Sequence, residues 1–219
     1  MTGAGALKPA DAEAYARDSW SPAYRQVLST EVARYPFPVM GARVLDLGAG
    51  PGAMTAVLLR AGAAHVTWQD VDPRFAAAAR DRLAGAGDVR FEVRDLLDLP
   101  YGAGEFDAVV LRSALHWARD EALVLARVAA LLRPGGHLAL HAPSWRRAVA
   151  APLPAWRRVA HLVSPPVAAV LRRKPVTTLW VLRSLTLRRL RRAGLEVVAG
   201  PVRTGDHFEL VARRPATSS

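Results

Sequence analysis

VLDLGAGPG, residues 44–52, puts three glycines into five positions directly behind an apolar run. RVLDL (43–47) reads as a strand, and GAMTAVLLRAG (52–62) as a helix closed by Gly62. A turn this bare lets backbone approach a ligand closely and presents free N–H groups at a helix N-terminus. Dinucleotide folds want G-x-G-x-x-G, which requires glycine at position 53, and the residue there is Ala53. The glycines here are Gly48, Gly50 and Gly52, set around Ala49, with Asp46 just ahead of the turn. A carboxylate there repels a pyrophosphate and meets an ammonium group. An amino-acid moiety fits.

Outward from the turn, short β-branched runs alternate with longer alanine- and leucine-rich ones. HVTWQ (65–69) reads as a second strand, and PRFAAAARDRLAG (73–85) as a helix with Pro73 in its first turn and Gly85 at its end. VRFEV and FDAVVL read as strands three and four, DEALVLARVAALLRPGG (120–136) as a helix, and HLALHA (137–142) as strand five. Strict alternation implies right-handed crossovers and a parallel sheet. Residues 9–34 read as one or two amphipathic helices. Near the end, LTLRRLRRAG reads as a basic helix, with LEVVAG and HFELVARRP as strands.

Five pieces in this order resemble the class I S-adenosylmethionine-dependent methyltransferases, and are similar to the ubiquinone/menaquinone-type small-molecule enzymes. The glycine turn matches the family's first motif. Asp70, closing HVTWQD, matches the acid that accepts hydrogen bonds from both ribose hydroxyls, and Val71 the apolar residue on adenine. Asp95 in FEVRDLLDLP matches the acid that receives the adenine amino group, with Leu96 beside it. LRSALHW, with Leu111 and Arg112, matches the end of the fourth strand, and LLRPGGHLAL the turn into the fifth. The match covers roughly residues 40–142 well and the final strands more loosely. The resemblance implies a Rossmann-like α/β fold: a mostly parallel seven-stranded sheet with an antiparallel last strand and helices on both faces. It implies S-adenosylmethionine as cofactor. Taken singly the pieces have plainer readings: the glycines as a tight strand–helix junction, Asp70 as a helix cap before Pro73, Asp95 as the cap of a short turn.

The expected reaction is O-, N- or C-methylation of a small molecule, with cyclisation assisted by the sulfonium charge as the alternative. The acceptor is expected over the carboxyl ends of the strands. Two histidines fall there as candidate proton acceptors, His116 after the fourth strand and His141 closing the fifth. His116 reads equally as a helix cap, and His137, on the opposite rim, as structural. Tyr15, Trp20 and Tyr24, on helices that close over the site in similar proteins, are candidate acceptor contacts or ordinary packing. Trp117, Trp145 and Trp156 complete that set.

Charge divides the 219-residue chain. The balance is +11 overall, but −1 over residues 1–143 and +12 over residues 144–219. Only Lys8 and Lys174 are lysines, so the arginine surplus reads mainly as the codon bias of a GC-rich genome and is weak evidence for nucleic acid. Base-amine methylation would want a (D/N)-P-P-(Y/F) box where LRSALHW stands, pyrimidine C5 methylation a cysteine, of which there is none, and ribose methylation paired lysines. Nucleic acid is not the expected partner. No signal peptide or membrane span is read, and a cytoplasmic location is expected. One domain is expected, with a helical cap (1–40), a cofactor-binding core (41–143), a basic insertion (144–183), and a final helix and strands (184–219). The insertion interleaves Trp145, Leu153, Trp156 and Leu162 with arginine pairs, and reads as a substrate lid, a peripheral membrane contact or scaffold.

Overall fold

A computed structural model describes residues 9–118, 120–143, 183–204 and 207–216. Two helices come first, α1 (Pro9–Ser19) and α2 (Pro22–Ala33). Ser21 caps α2 by accepting the Tyr24 N–H, and Pro22 occupies the first turn, where a missing N–H costs nothing. Then follow β1 (Arg43–Leu47), α3 (Ala53–Arg60), β2 (His65–Asp70), α4 (Pro73–Arg82), β3 (Val89–Val93) and β4 (Phe106–Arg112). A 3-10 turn (Leu115–Trp117), α5 (Glu121–Leu131), β5 (Leu132–Pro143), α6 (Arg183–Arg192), β6 (Glu196–Thr204) and β7 (His207–Arg213) complete the chain.

The strands form one sheet in the order β3-β2-β1-β4-β5-β7-β6. β1 to β5 run parallel, and β7 enters antiparallel between β5 and β6. The central strands are covered on both faces, which is why they read as apolar runs rather than alternations. Leu45, Leu47, Val109, Leu111, Leu138 and Leu140 bury one face with α5 and α6. Val44, Ala108, Val110, Ala139 and Val211 bury the other with α2 and α3, and Trp68 packs with α1 and α4. The strand order reverses between β1 and β4, so a crevice opens at their carboxyl ends.

Three readings of the elements need correction. The helix read through LLRPGG ends at Leu131, and Leu132 is already extended and paired with Phe106. Residues Arg133–Gly136 then bulge out before pairing resumes at Ala108–His137. Pro134 cannot continue a helix, and a Cβ at Gly136 would stand 2.9 Å from the Arg133 carbonyl oxygen, so the sharp re-entry needs glycine. The helix read through Gly85 ends at Arg82. β6 continues through Pro201 to Thr204, past the Gly200 at which the strand was expected to stop.

Part of the arginine surplus is structural. Arg189 of α6 pairs with Glu121 of α5, and Arg214 donates to the carbonyls of Ala129, Ala130 and Leu132, closing the C-terminus of α5. No described helix is long and apolar enough to cross a membrane. The insertion at 144–183, with Trp145 and Trp156, lies outside the described residues except for Arg183.

Candidate active site

The glycine turn is bare for three separate physical reasons. Gly48 has φ +73°, and a Cβ on it would stand 2.3 Å from the Cβ of Ala114, beyond the end of β4. Gly52, the cap residue of α3 at φ +88°, faces Ala79 of α4 and Leu83 just past its end, each at 3.1 Å. Those two are glycines because neighbouring elements pack against them. Gly50, at φ +53°, differs: its added Cβ would meet only the ring of Tyr15, 3.3 Å away on the helical cap. At that position the turn faces the helical cap. The turn is pinned from β2: Gln69 accepts from Gly48 and Ala49 through its carbonyl and from Gly48 through its side chain, and the Trp68 indole donates to the Gly50 carbonyl at 2.9 Å.

Below the turn lies a narrow polar cleft, lined by Tyr15, Tyr24, Asp46, Gly48, Ala49, Met54 and Arg112 among others. Asp46 is 1% exposed, and the Thr55 hydroxyl donates to it at 2.6 Å. Burial pushes the Asp46 carboxyl up to about 7, with the Asp70 charge adding to the rise and the Thr55 bonds opposing it. Across the cleft, Arg112 donates from Nε to Glu31 at 3.0 Å and from a terminal nitrogen to the Tyr24 hydroxyl at 2.5 Å. An acid and a guanidinium therefore flank one bare turn. That pairing is complementary to the ammonium and carboxylate of an amino acid.

Asp70 ends β2. One of its oxygens accepts the Gly50 N–H at 2.9 Å, and the other the Asp72 N–H at 3.0 Å. The cap of α4 is Asp72, which accepts the Arg74 N–H, so the plainer reading of Asp70 as the helix cap fails. Asp70 lies at the carboxyl edge of the sheet, and burial raises its carboxyl above the usual range, against the backbone hydrogen bonds it accepts from Asp72, Gly50 and Val71. Val71 beside it is 48% exposed, an apolar side chain left facing outward. Asp95 is exposed beyond β3 and caps its own turn by accepting the Leu97 N–H at 3.0 Å, while Leu96 packs partly into the core. Asp46, next to last in β1, Asp70 at the end of β2 and Asp95 just past β3 thus mark the carboxyl ends of three neighbouring strands.

Other expected residues divide. Tyr15 and Tyr24 reach the cleft; Trp20 does not line it, and its ring lies between the guanidinium groups of Arg25 and Arg82, each 5.1 Å from its centroid. Leu111 sits in the core on the far face of β4, so its side chain does not reach the cleft. His116 and Trp117 occupy the 3-10 turn with their rings 5.1 Å apart, both half-buried. His141 lies inside β5, two residues short of its end, 5% exposed and stacked on His207 at 4.5 Å. Burial pushes its imidazole down to about 2, with Arg112 and His207 adding to the fall, so it is neutral at ordinary pH. His137 stacks on Phe37 at 4.8 Å, in keeping with a structural role. Sequence reasoning missed Thr55, Gln69 and Glu31. A polar residue on the buried side of an otherwise apolar helix was the available signal for Thr55 and Glu31, both 5% exposed or less.

Residues 44–136 match the family model described as a methyltransferase domain. Trans-aconitate 2-methyltransferase of Variovorax paradoxus is 38% identical over 132 residues, 56% of this chain and 49% of that protein. Demethylmenaquinone methyltransferase of Clavibacter sepedonicus is 35% identical over 115 residues, 52% of this chain and 46% of that protein. The chain thus spans about half the length of these curated relatives. The crystal structure of the cyclase SpnF superposes with a TM-score of 0.69 at 22% identity, over 92% of this chain and 85% of that one, a likeness of fold. The motif order, the sheet order and these matches agree: residues 44–136 match a methyltransferase domain and are similar to the class I S-adenosylmethionine-dependent methyltransferases.

Proposed function

We propose that this chain transfers a methyl group from S-adenosylmethionine to a small-molecule acceptor. The observation that carries the reading is the cleft in which buried Asp46 and Arg112 flank the glycine turn. Asp46 and the turn would hold the methionine end, Asp70 the ribose hydroxyls, and Val71, Asp95 and Leu96 the adenine. When bound, the cofactor supplies an activated methyl sulfonium. The chain's residues do the rest: they align the acceptor, exclude water and take its proton. Alignment alone contributes up to about 7–11 kcal/mol. Tyr15 and Tyr24 cover the cleft from the helical cap and exclude water. His116, on the turn after β4, and His141, in β5, are the two candidate histidines on the route of that proton. The activities that name the relatives, on demethylmenaquinone and trans-aconitate, support a small acceptor over a macromolecule.

Residues 144–183 complete the reading as a cover for the acceptor, and a cytoplasmic location belongs to the same proposal. Transfer of tritium from methyl-labelled S-adenosylmethionine into a panel of phenols, carboxylic acids and amines tests methylation. Tight binding of S-adenosylhomocysteine with no labelled product from any of them would favour the cyclisation alternative. Flotation with phosphatidylserine vesicles at low and high salt tests membrane contact, since an electrostatic attachment is lost at high salt.

A further inference from the structure

Ser113 is the one non-glycine residue at positive φ (+53°) among the described residues. That conformation is sterically costly for a side chain, and such outliers persist where the surroundings hold them. Ser113 follows β4 directly, between cleft-lining Arg112 and Ala114, the residue that packs on Gly48. In a regular strand its side chain would point to the face opposite Arg112. The positive φ turns it back, and its hydroxyl stands 3.2 Å from His141 Nδ1, while its own N–H donates to the His141 carbonyl at 2.7 Å.

Arg112, His141 and Glu209 share one register row across β4, β5 and β7. On the far side of the imidazole, His141 Nε2 lies 3.9 Å from Glu209 Oε1, and the other Glu209 oxygen accepts from Arg34 at 3.2 Å. Exposure is graded along this line: the His141 side chain is 6% exposed, that of Glu209 22% and that of Arg34 60%. The row runs from the cleft, through the buried imidazole, to solvent. The remaining charged and titratable neighbours are Arg112 with Glu31 and Tyr24 from α2, Tyr35 on Glu31, and His207 stacked on His141.

We propose that Ser113, His141 and Glu209 form a proton relay, and that the acceptor methylated here is a hydroxyl compound whose O–H meets Ser113. This rests on the methyl-transfer reading of the same site. As the acceptor oxygen bonds to the methyl carbon, the carbon–sulfur pair returns to sulfur and the acceptor proton passes to Ser113 Oγ. The Ser113 hydroxyl proton passes to His141 Nδ1, and the Nε2 proton to the Glu209 carboxylate, which a rotation of that side chain brings into reach. Charge balances: a sulfonium and a carboxylate become a thioether and a carboxylic acid. An imidazole this reluctant to hold a second proton transmits one rather than storing it. His116 is not part of the relay.

Two measurements test the relay. In the protein without acceptor, ¹⁵N imidazole NMR should find His141 as the Nε2–H tautomer, with its Nδ1 resonance moved in Ser113→Ala; a proton on Nδ1 overturns the proposal. At about pH 8.5, with 4-methylphenol, still protonated, and 4-nitrophenol, ionised, Ser113→Ala and Glu209→Gln should each lose roughly 10²-fold in kcat/KM on the first and less than about threefold on the second. Equal losses on both, or none, mean a structural role and overturn it. So does failure of the parent protein to methylate either phenol while it binds S-adenosylhomocysteine. Loss of S-adenosylhomocysteine binding by the parent protein would instead sink the cofactor reading itself.

Discussion

Replacing Asp46 by asparagine separates what the site costs the fold from what it gives the ligand. Asp46 is buried at the end of β1 with its carboxyl pushed from 3.8 to about 7, so ionising it in the folded protein costs about 4 kcal/mol more than in the unfolded chain. The sign follows from proton binding. Between pH 3.8 and about 7 the folded protein holds a proton that the unfolded chain has lost, so stability falls as pH rises through that window. The amide of the variant keeps an oxygen to accept the Thr55 hydroxyl and has no charge to desolvate. Asp46→Asn should therefore match the parent near pH 4 and exceed it by about 2–4 kcal/mol at pH 8. Affinity should move the other way. Without the carboxylate, the ammonium of S-adenosylhomocysteine loses a charge-assisted partner, a loss of about 1.5–3 kcal/mol, or roughly tenfold to hundredfold. Urea unfolding at the two pH values and calorimetry at pH 8 read the two effects separately. A variant as stable as the parent at both pH values, with unchanged affinity, would refute the reasoning about Asp46.

Gly48→Ala should destabilise by about 2–4 kcal/mol in urea unfolding, because the new methyl group meets Ala114 at 2.3 Å; adding Ala114→Gly should recover the part due to collision and leave the part due to φ +73°. Asp70→Ala should weaken S-adenosylhomocysteine binding by about 1.5–3 kcal/mol in calorimetry, and unchanged affinity would remove Asp70 from the ribose site. With the relay carrying the proton, His116→Ala should lower turnover by less than about threefold with cofactor affinity intact; a loss of roughly 10²–10⁴ would move the proton-acceptor role to His116.

What the sequence determined by itself is whatever local periodicity and turn chemistry encode. VLDLGAGPG announced a strand, a tight turn and a helix, and the alternation after it fixed a parallel sheet, because buried parallel strands and amphipathic helices have different periods. Asp46, Asp70 and Asp95 were legible because each stands at or near the carboxyl end of a recognisable strand. Tertiary structure alone decided the rest. It showed that Gly48 and Gly52 are bare for packing against Ala114 and α4, and that only Gly50 faces the cap. It moved the α4 cap from Asp70 to Asp72, took Trp20 and Leu111 out of the cleft, and put Arg112 in it with Glu31 as partner. It also set Ser113, His141 and Glu209 in one line, though they lie 28 and 68 residues apart along the chain. No periodicity reports such a meeting, because it is fixed by the register of β4, β5 and β7 and by one residue's φ, not by any neighbour in sequence.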